Sequence, residues 1–328
     1  MSGCFAAPRY QGPVSDHFDG KRFFTPGAPP ATRGLGKFLK WQLERQSGAW
    51  SDYREEPPGP PPPTRVAPGS LRVTFVNHAT TLIQLDGVNV LTDPIWSQRT
   101  SPVSFAGPKR VRPPGIRFED LPPIDAVVIS HNHYDHLDVP TLLRLQDAFP
   151  KLRIFAGLGN KALLDGLGFP NVSELDWWQS TRLGATAVEL HSVPVQHFSN
   201  RGVTDEEGTL WTGWVIEGTN GRVYFGGDTA YGPHFKAAGE RLGPFRLAVL
   251  PIGAYLPEWF MSPVHMTPAD AVRAKADLRA RVMVPMHYGT FALADDGETQ
   301  AVEDLRAAAA GDETVWVLGF GEGREVPE

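Results

Sequence analysis

Three imidazoles and a carboxylate fall within six residues, at His131-Asn132-His133-Tyr134-Asp135-His136. Such groups are poor material for a core, because each one that is buried needs a partner. They are good material for metal, since imidazole nitrogens and carboxylate oxygens together suit zinc. His131 and His133 can converge on one cation while Asp135 and His136 turn towards a second. The competing reading is a solvated polar turn.

The neighbouring elements fix where the cluster stands. Ala126-Val127-Val128-Ile129 reads as a buried strand and Thr141-Leu142-Leu143-Arg144-Leu145 has helical spacing, so the cluster occupies a strand-to-helix loop. A dinuclear site needs further ligands from other strand ends. His197 follows Ser192-Val193-Pro194-Val195-Gln196, Asp228 follows Tyr224-Phe225-Gly226-Gly227, and His287 follows Val282-Met283-Val284-Pro285-Met286. Each lies just past an apolar strand, where a side chain emerges into a cleft. Alone, a histidine there is ordinarily a hydrogen-bonded edge residue; beside the cluster, the three become candidate ligands. The two oxygens of Asp228 can bridge two cations about 3.5 to 4 Å apart, and Gly226 and Gly227 let the backbone approach them. His191 lies inside its strand and is read as structural.

The chain has 328 residues, 41% of them hydrophobic, enough for a sizeable core. We expect a catalytic domain over 67–328 preceded by an extension, 1–66. The single cysteine, Cys4, rules out an intramolecular disulfide and a thiolate cluster, so any metal is held by histidine and carboxylate. A net charge of -6 gives no general attraction to nucleic acid. No apolar run is long enough to span a bilayer, and no apolar stretch precedes Cys4, so a cytoplasmic protein is expected. Contact with a membrane surface stays open.

Residues 1–33 are rich in Gly and Pro and read as irregular, pinned onto the domain in places. From Gly34 to Trp50, Leu35, Phe38, Leu39 and Leu43 recur at helical spacing among Arg33, Lys37, Lys40 and Arg45. This short basic amphipathic helix can pack on the domain or face lipid headgroups. Pro57-Pro58-Gly59-Pro60-Pro61-Pro62-Pro63 reads as a stiff polyproline spacer. Leu71–Val76, Thr81–Leu85 and Val88–Thr92 then read as strands, the last two joined through Asp86-Gly87, and a long proline-rich loop runs from Asp93 to Pro123. Beyond the cluster, strand-like and helix-like stretches alternate from Leu152 to Leu318. Two sheets covered by helices, an α+β fold, fit this order.

His131-x-His133-x-Asp135-His136, then His197, Asp228 and His287, resembles the motifs of the metallo-β-lactamase-fold hydrolases over about residues 70–320. That likeness implies an αββα four-layer sandwich. A β-lactamase of the commonest zinc class would carry Cys where Asp228 stands, and a flavodiiron protein Glu where His133 stands, so the hydrolytic dizinc branch is favoured. Thr92-Asp93-Pro94-Ile95-Trp96, Gly107-Pro108-Lys109-Arg110, Leu175-Asp176-Trp177-Trp178, Pro251-Ile252-Gly253-Ala254-Tyr255 and Gly289-Thr290-Phe291-Ala292-Leu293 resemble N-acyl-phosphatidylethanolamine-hydrolysing phospholipase D. The resemblance implies two Zn²⁺ per chain and a phospholipid substrate cleaved to an N-acylethanolamine and phosphatidic acid. It also implies peripheral contact at the inner membrane surface and a homodimer.

On this reading His131, His133 and His197 hold the first metal, Asp135, His136 and His287 the second, and Asp228 bridges them, with Asp135 also counted as catalytic. His265 resembles the family's active-site histidine, placed to bind the phosphate or protonate the leaving oxygen. His78 and Tyr134 join it at the substrate. Asn77, before His78-Ala79-Thr80, departs from the glycine expected there. Two rivals stand beside this: a lactonase or phosphodiesterase of the same fold acting on a soluble substrate, and a binding protein with structural zinc. Structural sites are closed by four protein ligands, whereas this set leaves positions for water.

Overall fold

A computed structural model describes residues 6–31 and 34–328, and of Leu35 the backbone alone. Cys4 and Arg33 therefore lie outside the described residues. Helix α1 (Gly34–Glu44) stops short of the expected Trp50. Strands β1 (Leu71–Asn77), β2 (Thr80–Leu85) and β3 (Val88–Thr92) form an antiparallel meander. The β2–β3 turn is the Asp86-Gly87 pair, both at positive φ (50° and 76°), which matches the twist of the flanking strands.

Beyond the long loop, β4 (Ala126–Val128), helix α2 (Val139–Ala148), β5 (Arg153–Gly157), helix α3 (Asn160–Gly166) and β6 (Val172–Leu175) continue the sheet in parallel, the β4–β5 and β5–β6 crossovers each supplying a helix. The second sheet takes β7 (Ser180–Arg182), β8 (Glu189–Val193), β9 (Gly213–Gly218) and β10 (Gly221–Phe225), all antiparallel. Helix α4 (His234–Leu242), β11 (Phe245–Pro251), short helix α5 (Glu258–Met261), helix α6 (Pro268–Asp277) and β12 (Ala280–Met286) extend it in parallel. Helix α7 (Gln300–Ala309) follows, and β13 (Gly323–Glu325) returns to pair with β1. The sheet orders are β13-β1-β2-β3-β4-β5-β6 and β12-β11-β10-β9-β8-β7.

Successive strand residues point to opposite faces, and the layers follow. Ile83 of β2 and Val128 of β4 join Leu190, Trp214 and Phe225 in the core between the sheets. Leu82 and Val127, their chain neighbours, meet Leu142, Leu145, Leu163 and Leu164 of the outer helices. Each such side chain contributes about 1.5–3 kcal/mol when buried. The result is the αββα sandwich implied by the resemblance. Strands β6, β7 and β13 are short and lack a buried run, which hides them in the sequence. Thr314–Leu318, expected as an ordered stretch, contributes one bridge, Met283 to Val315.

The extension lies on the domain. In α1, Trp41 turns inward, stacks on Phe260 at 4.8 Å and donates to Asp295 Oδ2 at 3.1 Å, while Phe38, Leu39 and Leu43 are exposed. The polyproline run is held alongside, with Gln84 Nε2 donating to the Pro63 carbonyl and Gly59 N to that of Gly115. No helix among the described residues is long and apolar enough to cross a membrane.

Residues 6–31 form a strap over the second sheet, packing Phe18 and Phe23 against Val195, Leu210 and Trp211. His17 latches it: Nε2 lies 2.7 Å from Asp176 Oδ1, Nδ1 lies 2.6 Å from Asp16 Oδ1, and the ring stacks on Trp177 at 4.4 Å. Burial pulls the His17 pKa down, but hydrogen bonds to Asp176 and Asp16 outweigh it, leaving a value above the ordinary 6.5. A folded pKa above the unfolded one means that the stabilisation is complete below pH 6.5 and is lost as pH climbs through the folded value. Amide exchange in the strap, corrected for its intrinsic pH dependence, should therefore quicken above that pH, and His17→Ala should exchange fast throughout. Protection that is flat with pH in the parent would remove the latch.

Candidate metal centre

The loop after β4 is fixed before any metal enters. Thr212 N donates to the Ser130 carbonyl at 2.8 Å and Trp214 Nε1 to that of Ile129 at 2.9 Å, tying the first sheet to the second. The buried Arg201 guanidinium donates to the carbonyls of Asn132 and Leu137, both at 2.9 Å, and clamps the loop from outside.

Ligand-type atoms gather in two lobes, each with its donor atoms within 4.8 Å of one another. In the first, His131 Nε2 lies 2.8 Å and His197 Nε2 3.4 Å from His133 Nδ1. His197 donates Nδ1–H to the Val264 carbonyl at 2.9 Å, which leaves Nε2 with the lone pair. In the second, Asp135 Oδ2 lies 2.9 Å from His78 Nε2, 3.3 Å from His136 Nε2 and 3.4 Å from His287 Nε2. Asp228 Oδ2 stands between the lobes, 3.1 Å from His136 and His287 and 3.8 Å from His197. All seven expected metal-site residues thus come together from connections on both sheets.

The other named residues fall around them. His78, expected at the substrate, is buried inside the second lobe, its ring 4.1 Å from that of His287. His265 is half-buried, with its ring 5.2 Å from that of His197, and it shares a ligand group with His197 and Asp228. Tyr134 is half-buried, carries the Arg201 guanidinium over its ring at 4.0 Å, and lines a separate cavity of about 430 Å³ with Arg99, Val103 and Leu143. His191 bonds Glu217 Oε2 at 2.9 Å within the second sheet, away from the lobes.

One residue with a part in the site went unassigned in the sequence. Asp93, just past β3, is fully buried, accepts from the Ser130 amide at 2.7 Å and the Ser130 hydroxyl at 2.5 Å, and holds His136 Nδ1 at 2.7 Å. It thereby aims His136 Nε2 into the second lobe. Its place at a strand end, like that of the ligands, was the available signal.

The backbone bends sharply here. His78, Asp93 and His287 have φ of 46°, 33° and 66°, the left-handed region that costs non-glycine residues energy and clusters at functional sites. Gly227, at φ 56°, is packed so closely that a Cβ would come within 2.4 Å of the Ser130 side chain.

Burial pulls the pKa of His131 and His197 well below 6.5 and that of His133 to about 4, reinforced at His131 by the neighbouring imidazoles. That lobe is neutral and ready to ligate. In the other, burial opposes charge, but the Asp228 and Asp135 carboxylates outweigh it and hold His136 well above 6.5 and His287 up at about 9. Burial likewise pushes both carboxyls up, and the facing imidazoliums bring them well below 3.8. Oδ1 of Asp228 is buried without a hydrogen-bond partner, and Nε2 of His136 and of His287 face the Asp135 and Asp228 carboxylates as ion pairs without well-aligned hydrogen bonds. Such an orphaned oxygen is costly unless something else meets it. A nitrogen and oxygen donor set converging on two points is able to bind metal, with His136 and His287 giving up a proton as they ligate.

A sandwich with a histidine–aspartate metal-binding cluster at the joint of its sheets is the form of a metal-dependent hydrolase. The chain belongs to the β-lactamase superfamily, whose domain matches residues 88–288. Among its relatives are proteins named for N-acyl-phosphatidylethanolamine hydrolysis, of whose length the chain spans less than two thirds. It is 43% identical over 229 residues to N-acyl-phosphatidylethanolamine-hydrolyzing phospholipase D 1 of Caenorhabditis elegans, covering 67% of this chain and 64% of that one. An uncharacterized protein of Mycobacterium tuberculosis is 41% identical over 83% of this chain and 73% of its own. A metallo hydrolase from Ignicoccus hospitalis superposes with a TM-score of 0.60 at 26% identity, over 79% of this chain and 99% of its own.

Proposed function

We propose that the protein is a dizinc phosphodiesterase of the phospholipase D type, hydrolysing N-acyl-phosphatidylethanolamine-type lipids to an N-acylethanolamine and phosphatidic acid. The observation that carries the metal-site part is the pair of lobes with Asp228 between them. Similarity to the Caenorhabditis elegans enzyme named for that substrate supports the lipid. His131, His133 and His197 would hold one Zn²⁺, Asp135, His136 and His287 the other, with Asp228 shared. When bound, two zinc ions supply an acidified water near neutral pH and charge to neutralise phosphate oxygens.

The chain's own groups do the rest. Asp93 keeps His136 in one tautomer, and the Val264 carbonyl does so for His197. His78 fixes the carboxylate of Asp135 through a 2.9 Å hydrogen bond. His265, beside His197, can hydrogen-bond a phosphate oxygen or give a proton to the leaving oxygen. Exposed Phe38, Leu39 and Leu43 on α1, with Trp259 beside them under Lys40, offer an apolar and basic surface for a lipid bilayer. A homodimer, by family likeness, completes the proposal.

Elemental analysis of purified protein, paired with hydrolysis of N-acyl-phosphatidylethanolamine before and after chelation, tests it. Near two zinc per chain and chelator-sensitive release of the N-acylethanolamine are expected, and His133→Ala should abolish that release while the protein stays folded. Two zinc without release would move the reading to lactones or soluble phosphodiesters. Full activity in His133→Ala would remove the ligand assignment.

A further inference from the structure

We propose that the strap of residues 24–31 builds one wall of the substrate site and selects for an alkyl chain there, an inference resting on the lipid reading above. A cavity of about 270 Å³ opens between the strap and the second sheet. Phe24, Ala28 and Pro30 line it from the strap, Trp211 and Pro263 from the domain, and the candidate ligand His197 belongs to the same lining. The space therefore adjoins the first lobe of the metal centre. It is small for a whole ligand, since ligand pockets run from about 300 Å³ upward, and of a size for one segment of a larger one.

Several polar groups in the lining are already engaged. Trp211 Nε1 donates to the Val195 carbonyl at 3.1 Å and Gln196 Nε2 to that of Pro263 at 3.0 Å. Thr25 Oγ1 lies 3.4 Å from the Val195 carbonyl, and Glu207 faces the Arg22 guanidinium at 3.6 Å. Of what remains towards the cavity carbon is the larger share, from Phe24, Ala28, Pro29, Pro30 and Pro263, which favours methylenes over a polar headgroup.

The wall is also stiff. Ala28 N donates to the Thr25 carbonyl at 3.1 Å across Pro26-Gly27, with Gly27 at φ 73°, the pattern of a type II turn. Pro29 and Pro30 follow directly. A rigid wall loses little entropy on binding. Residues 24–31 lie outside the 88–288 matched by the superfamily domain.

The test compares kcat/KM for a long-chain N-acyl-phosphatidylethanolamine in mixed micelles with that for bis(4-nitrophenyl) phosphate, which has no alkyl chain. Ala28→Trp fills the cavity, and the lipid-to-aryl ratio should fall at least about tenfold, the equivalent of two methylenes left in water. Phe24→Ser, at a half-exposed position, should lower it in the same direction through KM. Lipid activity in the parent with an unchanged ratio in both variants would overturn the subsite alone. A parent that cleaves the aryl ester but not the lipid would overturn the lipid reading and the subsite with it.

Discussion

Asp228→Ala is expected to lower metal-dependent turnover by about 10³-fold or more, on the scale at which removing one electrostatic stabiliser from a site is felt. Among the described residues Asp228 is the one carboxylate within reach of both lobes, at 3.1 Å from His136 and His287 and 3.8 Å from His197. Without it the first lobe keeps three imidazoles and the second keeps Asp135 as its one carboxylate beside His78, His136 and His287, and nothing negative is shared between them. His136 and His287, which it helps to hold protonated, can shed their protons, so no buried cation is stranded and the fold survives. Circular dichroism should match the parent, while bound metal falls below the parent's content. A variant with the parent's metal content and activity within tenfold of the parent would refute the bridging position.

Asp93→Asn should weaken metal binding by about 10- to 100-fold although it contacts no candidate metal position, the range seen when a ligand's supporting partner is changed. The Asp93 carboxylate accepts from Ser130 twice and from His136 Nδ1. An amide would present a donor towards Nδ1, favouring the tautomer that carries its proton on Nε2, where the lone pair is needed. The near-isosteric change should thus be as damaging as Asp93→Ala. Titration against a chromogenic chelator reads this directly, and an affinity equal to the parent's would show that His136 is oriented by something else.

Much of the site was legible because metal chemistry leaves dense marks. Four ligand-type residues in six could hardly be anything else, and His197, Asp228 and His287 each followed an apolar strand. The meander was legible too, through its alternation and its Asp-Gly turn. Asp93 was harder, since a lone aspartate before proline looks like turn chemistry, and only the folded chain brings it against His136, 43 positions away. The involvement of His78 with Asp135 was hidden for the same reason, their separation being 57 positions. Strands such as β7 and β13 left little trace, because edge strands with exposed residues have no buried period to read. The strap's place beside His197 depends on the His17 latch and on Phe18 and Phe23, whose spacing carries no periodic signal.

The candidate ligands are divided between two sheets that touch through one apolar core, with Trp214 and Thr212 of the second sheet bonded to Ile129 and Ser130 of the first. The spacing of the metal lobes is therefore a ruler laid across the sandwich. A core substitution that lets the sheets slide by a few tenths of an ångström, too little to show in a melting curve, would be read out at once in the distances from Asp228 to His197 on one side and to His136 on the other.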